Sequence, residues 1–260
     1  MCLIVFGWEA HPRYSLVVAG NRDEFFARPS AALSYWDDYP GVVGGRDVEK
    51  GGSWLASNVD GRWAAVTNFR DGQPAEPTTL SRGHLVSNYV TSTTPANRYA
   101  DEISGPLPRY PGCNLLFGDS DTLYYLSNRS ARDPVAVPEP LSPGVYGLSN
   151  HLLDTPWPKV ERTRKAVREL LDSDQDEIAE DLFKILADRD AARDDELPET
   201  GVSRERERML SAPFIVSEAY GTRASTVLLA GTDGKTIMQE RTFGSGGIEL
   251  ERKIMTFVRG

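Results

Sequence analysis

Histidine is nearly missing from this sequence. His11, His84 and His151 are the full set in 260 residues, and their spacing makes neither a metal-ligand pair nor a catalytic triad. Cysteine is scarcer still. Cys2 and Cys113 make no disulfide framework, and nothing in their spacing suggests a zinc site. A reducing compartment is the default for such a chain, so the expected location is the cytoplasm. No window of about 18 apolar residues exists, so no membrane span is expected. The apolar stretch Met1 to Trp8 has no basic leader and is too short for a signal peptide. Lysine is rare as well, confined to Lys50, Lys159, Lys165, Lys184, Lys235 and Lys253. The formal charge is −9 and the pI about 5.0. An acidic chain repels phosphate backbones and no basic patch offsets this, so nucleic acid is not an expected partner.

What is present reads first as strands. Cys2 to Trp8 and Tyr14 to Ala19 are short apolar runs on either side of the His11-Pro12-Arg13 turn, a hairpin pattern. Ser53 to Ser57 and Arg62 to Phe69 make a second hairpin around Asn58 to Gly61. A polar, proline-containing loop follows from Arg70 to Thr79. Leu80 to Val90 and Ala96 to Ile103 are candidate helices. Cys113 to Phe117 and Leu123 to Ser127 are strands, and the prolines of Pro134 to Pro143 demand an irregular or edge segment. A helix opens at Pro158, with Val160, Val167, Leu170 and Leu171 at helical spacing. Asp174 can cap another that carries Ile178, Leu182, Ile185 and Leu186. Asp188 to Gly201 reads as a solvated acidic loop. Thr222 to Ala230, Thr236 to Phe243 and Glu251 to Val258 close the chain as strands. This order predicts an α+β protein of antiparallel sheets with helices on their outer faces, in a single domain over residues 1–260.

Six residues could carry chemistry. Cys2 follows a methionine whose removal is permitted before a small residue. Removal would give Cys2 a free α-amine of pKa about 7.7–8.0, a base tethered to the thiol it would activate. Taken alone, Cys2 reads as a small apolar residue opening a buried strand. Asn21-Arg22-Asp23-Glu24 is a polar cluster at the exit of an apolar run, and a surface turn with local ion pairs is the plain alternative. Strand alternation would put Asn21 and Asp23 on one face and Arg22 and Glu24 on the other. Arg22 and Asp23 then enter one pocket only if the strand bulges. Asn68 and Asn150 each end an apolar strand with a side-chain amide. Either could donate to an oxyanion or simply close an Asx turn. Arg223, ahead of Ala224 to Leu229, could hold a carboxylate or make a rim ion pair.

Set in order along the chain, these stretches resemble one family. Met1-Cys2-Leu3-Ile4-Val5-Phe6, Gly20 to Pro29, Gly51-Gly52-Ser53-Trp54-Leu55, Thr67-Asn68-Phe69-Arg70 and Ser81-Arg82-Gly83 are similar to the family named for its Asn-Arg-Asp-Glu motif, the transport and Golgi organisation protein two family. Tyr125 to Arg129, Gly147 to Asn150, Leu153 to Val160 and Tyr220 to Thr226 continue the resemblance. It implies an N-terminal-nucleophile (Ntn) hydrolase-like αββα sandwich, distantly related to the cysteine-nucleophile bile salt hydrolases and penicillin V acylases. Carried over, it implies Cys2 as nucleophile and base, Asn68 and Asn150 as oxyanion and amide-binding groups, and Arg22, Asp23 and Arg223 as the rest of the polar site. In those hydrolases two residues separate the Arg from the Asp, whereas here Arg22 and Asp23 are adjacent. The resemblance implies two functions for one pocket. One is hydrolysis of a non-peptide amide C–N bond, which requires no metal or cofactor. The other is non-catalytic carriage of haem or another amphipathic ligand, with Cys2, a histidine or a methionine at the iron and Arg22 or Arg223 on the propionates. Neither cysteine precedes a proline, so the short Cys-Pro haem-regulatory motif is absent. A structural protein with a degenerate site is the third possibility.

Overall fold

The structure is a computed structural model that describes residues 2–72, 80–129, 138, 140–173, 175 and 177–259. Asp174, most of the loop expected over 70–79 and half of the proline-rich stretch 134–143 lie outside the described residues.

Two six-stranded antiparallel sheets form the centre. The first holds β1 (Cys2–Trp8), β2 (Tyr14–Phe25), β9 (Gly144–Leu148), β10 (Tyr220–Gly231), β11 (Lys235–Phe243) and β12 (Glu249–Val258), in the order β12-β11-β10-β2-β1-β9. The second runs in chain order through β3 (Ser30–Trp36), β4 (Tyr39–Asp47), β5 (Leu55–Asn58), β6 (Trp63–Asn68), β7 (Cys113–Gly118) and β8 (Leu123–Ser127). β1 is buried along its whole length because both of its faces are covered. Ile4 and Phe6 point between the sheets, where they meet Leu33, Val43, Leu55, Trp63 and Leu116. Leu3 and Val5 point the other way, under α3 (Pro158–Leu171) and α4 (Ala179–Leu186). On the far side α1 (Gly83–Thr91) and α2 (Ala96–Ser104) cover the second sheet through Leu85, Tyr89, Tyr99 and Ile103. The layers are therefore helix, sheet, sheet, helix: the α+β, four-layer αββα sandwich. Glycine permits the close seat of α3. A Cβ on Gly7 would lie 2.6 Å from Leu171 Cδ1, and one on Gly147 would lie 2.6 Å from Val160 Cγ1.

Several expectations are corrected. β2 runs on through Asn21, Arg22, Asp23 and Glu24 to Phe25, so the motif is strand and not a surface turn. It stays extended because β1 and β10 pair with it on both sides. β3 and β4 are strands that the apolar pattern does not mark. β3 and β4 have half-exposed patterns and contain Pro40, Gly41, Gly44 and Gly45, residues that usually mark breaks. The acidic stretch 188–201 is partly built into the protein. Ala192 and Leu197 are buried, Asp188 pairs with Arg162 at 2.7 Å, and its carbonyl accepts from Phe214 N–H at 2.8 Å. α5 (Arg204–Leu210) follows it, capped by the Ser203 hydroxyl.

Candidate functional site

A cavity of about 770 Å³ opens at the end of the sandwich where β1 begins. Cys2 lies in its wall, together with Arg22, Asp23, Asn68 and Arg223 of the expected site. Trp54, Val66, Leu80, Phe243 and Leu250 add apolar surface, and Arg28, Arg46, Asp47, Lys50, Arg82 and Glu240 add charge.

Cys2 pairs with Arg22 across the β1–β2 ladder, so both side chains stand on the inter-sheet face. Asp23 is one residue on. Its carboxylate accepts from Thr222 Oγ1 at 2.7 Å in the buried layer under the helices. Asp23 also lines the cavity, without a bulge in β2; the bulge lies opposite, in β10 between Thr222 and Ala224. Burial pushes the Cys2 thiol up, and the Asp23 carboxylate adds to this; Arg22 and the Asp23 N–H oppose it. Burial also pushes the Asp23 carboxyl up, against the pull of Lys159.

Lys159 was not among the expected site residues. It sits in the first turn of α3, almost wholly buried, and its Nζ has no hydrogen-bond partner among the described residues. Burial pulls it down to about 8, while Asp23, Cys2 and Glu207 favour its charged form and Arg70 opposes it. Arg70 and Glu207 complete this buried cluster as an ion pair at 3.3 Å, with the Arg70 guanidinium 4.5 Å over the Trp157 ring. Two features could have exposed Lys159. A cation in a helix's first turn opposes the helix dipole, and its neighbours Trp157 and Pro158 belong to the family-like stretch.

Asn68 ends β6 at the cavity wall. Asn150 is fully buried beside it and is not among the described residues lining the cavity. Its Nδ2 donates to the Asn68 carbonyl at 2.9 Å, and its own carbonyl accepts from Arg70 N–H at 2.7 Å. Ser149 Oγ donates to the Cys2 carbonyl at 2.9 Å, and the Ser149 carbonyl accepts from Thr67 Oγ1 at 2.7 Å. Residues 149 and 150 therefore stitch the Cys2 strand to the Asn68 strand, with each buried polar group satisfied. Asn150 holds the site together from behind. Asn21 does the same for β2: its Nδ2 donates to the carbonyls of Leu186 and Pro213, and its Oδ1 accepts from Ser225.

Arg223 is the extra residue of the β10 bulge. Its Nη1 donates to the carbonyls of Phe25, Phe26 and Arg28 at 3.0, 3.2 and 2.9 Å, and its Nη2 to Ser30 Oγ. The guanidinium clamps the turn after β2 at the cavity rim, mainly through Nη1. Glu240, also missed from sequence, is buried in the wall. It accepts from Leu33 N–H at 2.7 Å and Thr226 Oγ1 at 3.2 Å, and burial pushes its carboxyl up.

No group of three or more acidic, His or Cys side chains able to hold a metal occurs among the described residues. None of the three histidines lines the cavity. His84 contacts the Lys50 carbonyl, His151 contacts Thr155, and His11 packs on Tyr14. No helix among the described residues is long and apolar enough to cross a membrane.

Two stacked antiparallel sheets with helices on both outer faces make an Ntn-hydrolase-like fold. The fold superposes on a Caenorhabditis elegans N-acylethanolamine-hydrolyzing acid amidase ortholog with a TM-score of 0.54 and 9% identity, over 88% of this chain and 92% of that one. The chain belongs to the Transport and Golgi organisation 2 family, whose family model matches residues 1–245. It is 34% identical over 266 residues to the Bos taurus Transport and Golgi organization protein 2 homolog and 32% identical over 261 residues to the Homo sapiens homolog, with 93% of both chains covered in each case.

Proposed function

We propose that this protein hydrolyses a non-peptide amide C–N bond with Cys2 as nucleophile once Met1 has been removed. The observation that carries the reading is the placement of Cys2. Its thiol shares a face with Arg22 and opens into the cavity that Asp23 and Asn68 also line.

Burial raises the thiol, so a standing thiolate is a minor species at neutral pH and the proton has to leave during attack. The α-amine of a mature Cys2 is the base at hand. As Sγ bonds to the amide carbon, the thiol proton passes to that amine and the carbonyl electron pair moves onto oxygen. The Asn68 amide is the side-chain donor available to the oxyanion. Collapse breaks the C–N bond, and the leaving amine takes the proton back. Water then adds to the thioester, losing a proton to the α-amine, and the acid departs as the thiol re-forms. Asp23 and Lys159, buried behind Cys2, set the field in which that amine titrates.

Carriage of haem or another amphipathic ligand in the same cavity has less support. With no histidine in the described wall, Cys2 itself would have to serve as the iron's side-chain ligand. The wall is also rich in charge, where haem needs an apolar slot. The test is turnover of a panel of acyl amides by the wild type and by Cys2→Ala. Turnover abolished in Cys2→Ala, with the protein still folded, supports the proposal. Equal turnover in both proteins rejects it, as does haem transfer that survives the substitution with no amide cleaved by either.

A further inference from the structure

Two family-like stretches, Gly51-Gly52-Ser53-Trp54-Leu55 and Ser81-Arg82-Gly83, meet at the cavity wall. They pack with no space between them. A Cβ on Gly52 would lie 2.4 Å from the Gly83 carbonyl carbon, and Ser53 N–H donates to the Gly83 carbonyl at 3.2 Å. This contact fixes the backbone just ahead of α1 and sets Arg82 into the wall. The Arg82 side chain is half-buried. Among the described residues it makes one hydrogen bond, from Nη1 to the Gly112 carbonyl at 3.3 Å, and no ion pair. A guanidinium has five N–H donors, so most of these are unspent. Burial pulls the group below the ordinary arginine value, as expected for a desolvated charge with few partners.

Other cations of the wall divide into spent and unspent. Arg28 pairs with Asp47 at 2.6 Å, Arg46 with Asp38 at 2.8 Å, and Arg223 holds the turn after β2. The Arg22 guanidinium and the exposed Lys50 Nζ have no partner among the described residues. The wall's carboxylates do not balance these three free cations. Asp47 is taken by Arg28, and Glu251 faces Lys253 at 3.4 Å. Asp23 and Glu240 accept hydrogen bonds, and burial disfavours their charged forms. Glu24, which accepts from Phe25 N–H at 2.9 Å, is one charge against three. In a chain of formal charge −9 this positive cavity is a local arrangement. We propose that the amide taken by this cavity carries an anionic oxygen group, a carboxylate or a phosphate, close to the bond that is cut. Arg22 on the first sheet and Arg82 on the side of the second hold it, with Lys50 at the mouth. The place of that bond rests on Cys2 as the nucleophile. Arg22 is its direct partner in the ladder, and Arg82 is within electrostatic reach of its thiol.

Calorimetric titration of the full chain carrying Cys2→Ala tests binding apart from turnover. The ligands are N-hexanoylglycine, glutaric acid monohexylamide and N-hexanoyl phosphoethanolamine, with neutral N-hexanoylglycinamide as the control. At least one anionic amide should bind at least about 10-fold tighter than the neutral one, because hydrogen bonds between charged partners are the strong ones. Adding Arg82→Gln should remove most of that preference, and Arg82→Lys, which keeps the charge, should retain part of it. Equal binding of all four ligands, or a preference that a folded Arg82→Gln variant leaves intact, would overturn the inference. Should Arg82→Gln fail to fold, Lys50→Gln at its exposed position takes its place, and an unchanged preference there overturns it too. The hydrolase reading fails separately. Anion-selective binding with no turnover by the wild type would reject hydrolysis and keep the anion site, whereas turnover of the neutral amide with no anion preference in binding would do the reverse.

Discussion

Lys159 makes the buried cluster behind Cys2 measurable through stability. A lysine in the unfolded chain titrates at its ordinary 10.5, whereas burial pulls Lys159 down to about 8 in the fold. Below pH 8 both states carry the proton, and the full penalty of a buried cation weighs on the native state. Between about pH 8 and 10.5 the unfolded chain holds a proton that the native protein has released, so stability rises with pH. Above 10.5 the penalty is gone. The gap of 2.5 units between the two values corresponds to about 3 kcal/mol at 1.36 kcal/mol per unit. Lys159→Met keeps the length of the side chain and removes the titration. Its offset in stability at pH 7 depends on Asp23, which loses its counter-charge, but the pH dependence does not share that ambiguity. A buried Asp23 that titrates higher in the variant loses stability as pH rises, which adds to the difference with the same sign. Urea unfolding of both proteins at intervals from pH 7 to 10.5 is the assay. The wild type should gain about 3 kcal/mol on the variant across that window, with other lysines and the tyrosines cancelling in the comparison. Parallel curves would refute the reasoning, because they would mean that Lys159 is solvated in the native protein.

Three further outcomes follow from the same geometry. Asn21→Ala strands the Leu186 and Pro213 carbonyls and the Ser225 hydroxyl, and should cost at least about 3 kcal/mol in urea unfolding; a loss under 1 kcal/mol would contradict the bonding described. Asn150→Ala frees the Asn68 carbonyl, and should lower kcat by about 10–100-fold with KM little changed; an unaltered kcat removes its positioning role. Alkylation of Cys2 by iodoacetamide, followed by peptide mass spectrometry, should reach half its limiting rate above pH 9.0, the ordinary thiol value, because burial raises the thiol; a plateau reached below pH 8 would show a thiolate already present.

Much of the fold is legible in the primary structure where burial is one-sided or complete. β1 is a continuous apolar run, β6, β7 and β10 each hold one (63–66, 115–117 and 227–230), and α3 shows its buried stripe at helical spacing. β3 and β4 are not legible, because their apolar content is diluted by exposed residues and glycines and they exist by pairing with each other and with β5. The site divides the same way. Alternation along β2 correctly separates the Arg22 face from the Asp23 face. It cannot reveal that the Asp23 carboxylate is buried against Thr222 and within the electrostatic reach of a lysine in another layer. Lys159 and Glu240 look like surface residues on amphipathic elements, and only the packing of α3 on β1 and of β10 beside β11 buries them. Arg223 reads as a ligand-binding cation, yet the β10 bulge turns it onto three carbonyls. In each case what is missing from the sequence is a contact between residues distant along the chain.

The account rests on Cys2 carrying a free α-amine and an acyl group during turnover. Mass spectrometry of the intact protein, before and immediately after acid quench with an amide substrate, reads both at once. The expected mass lacks one methionine residue, and the quenched sample carries an acyl adduct on the peptide that begins at Cys2. A chain that retains Met1, or an adduct found on Cys113 or on no residue, would contradict the mechanism.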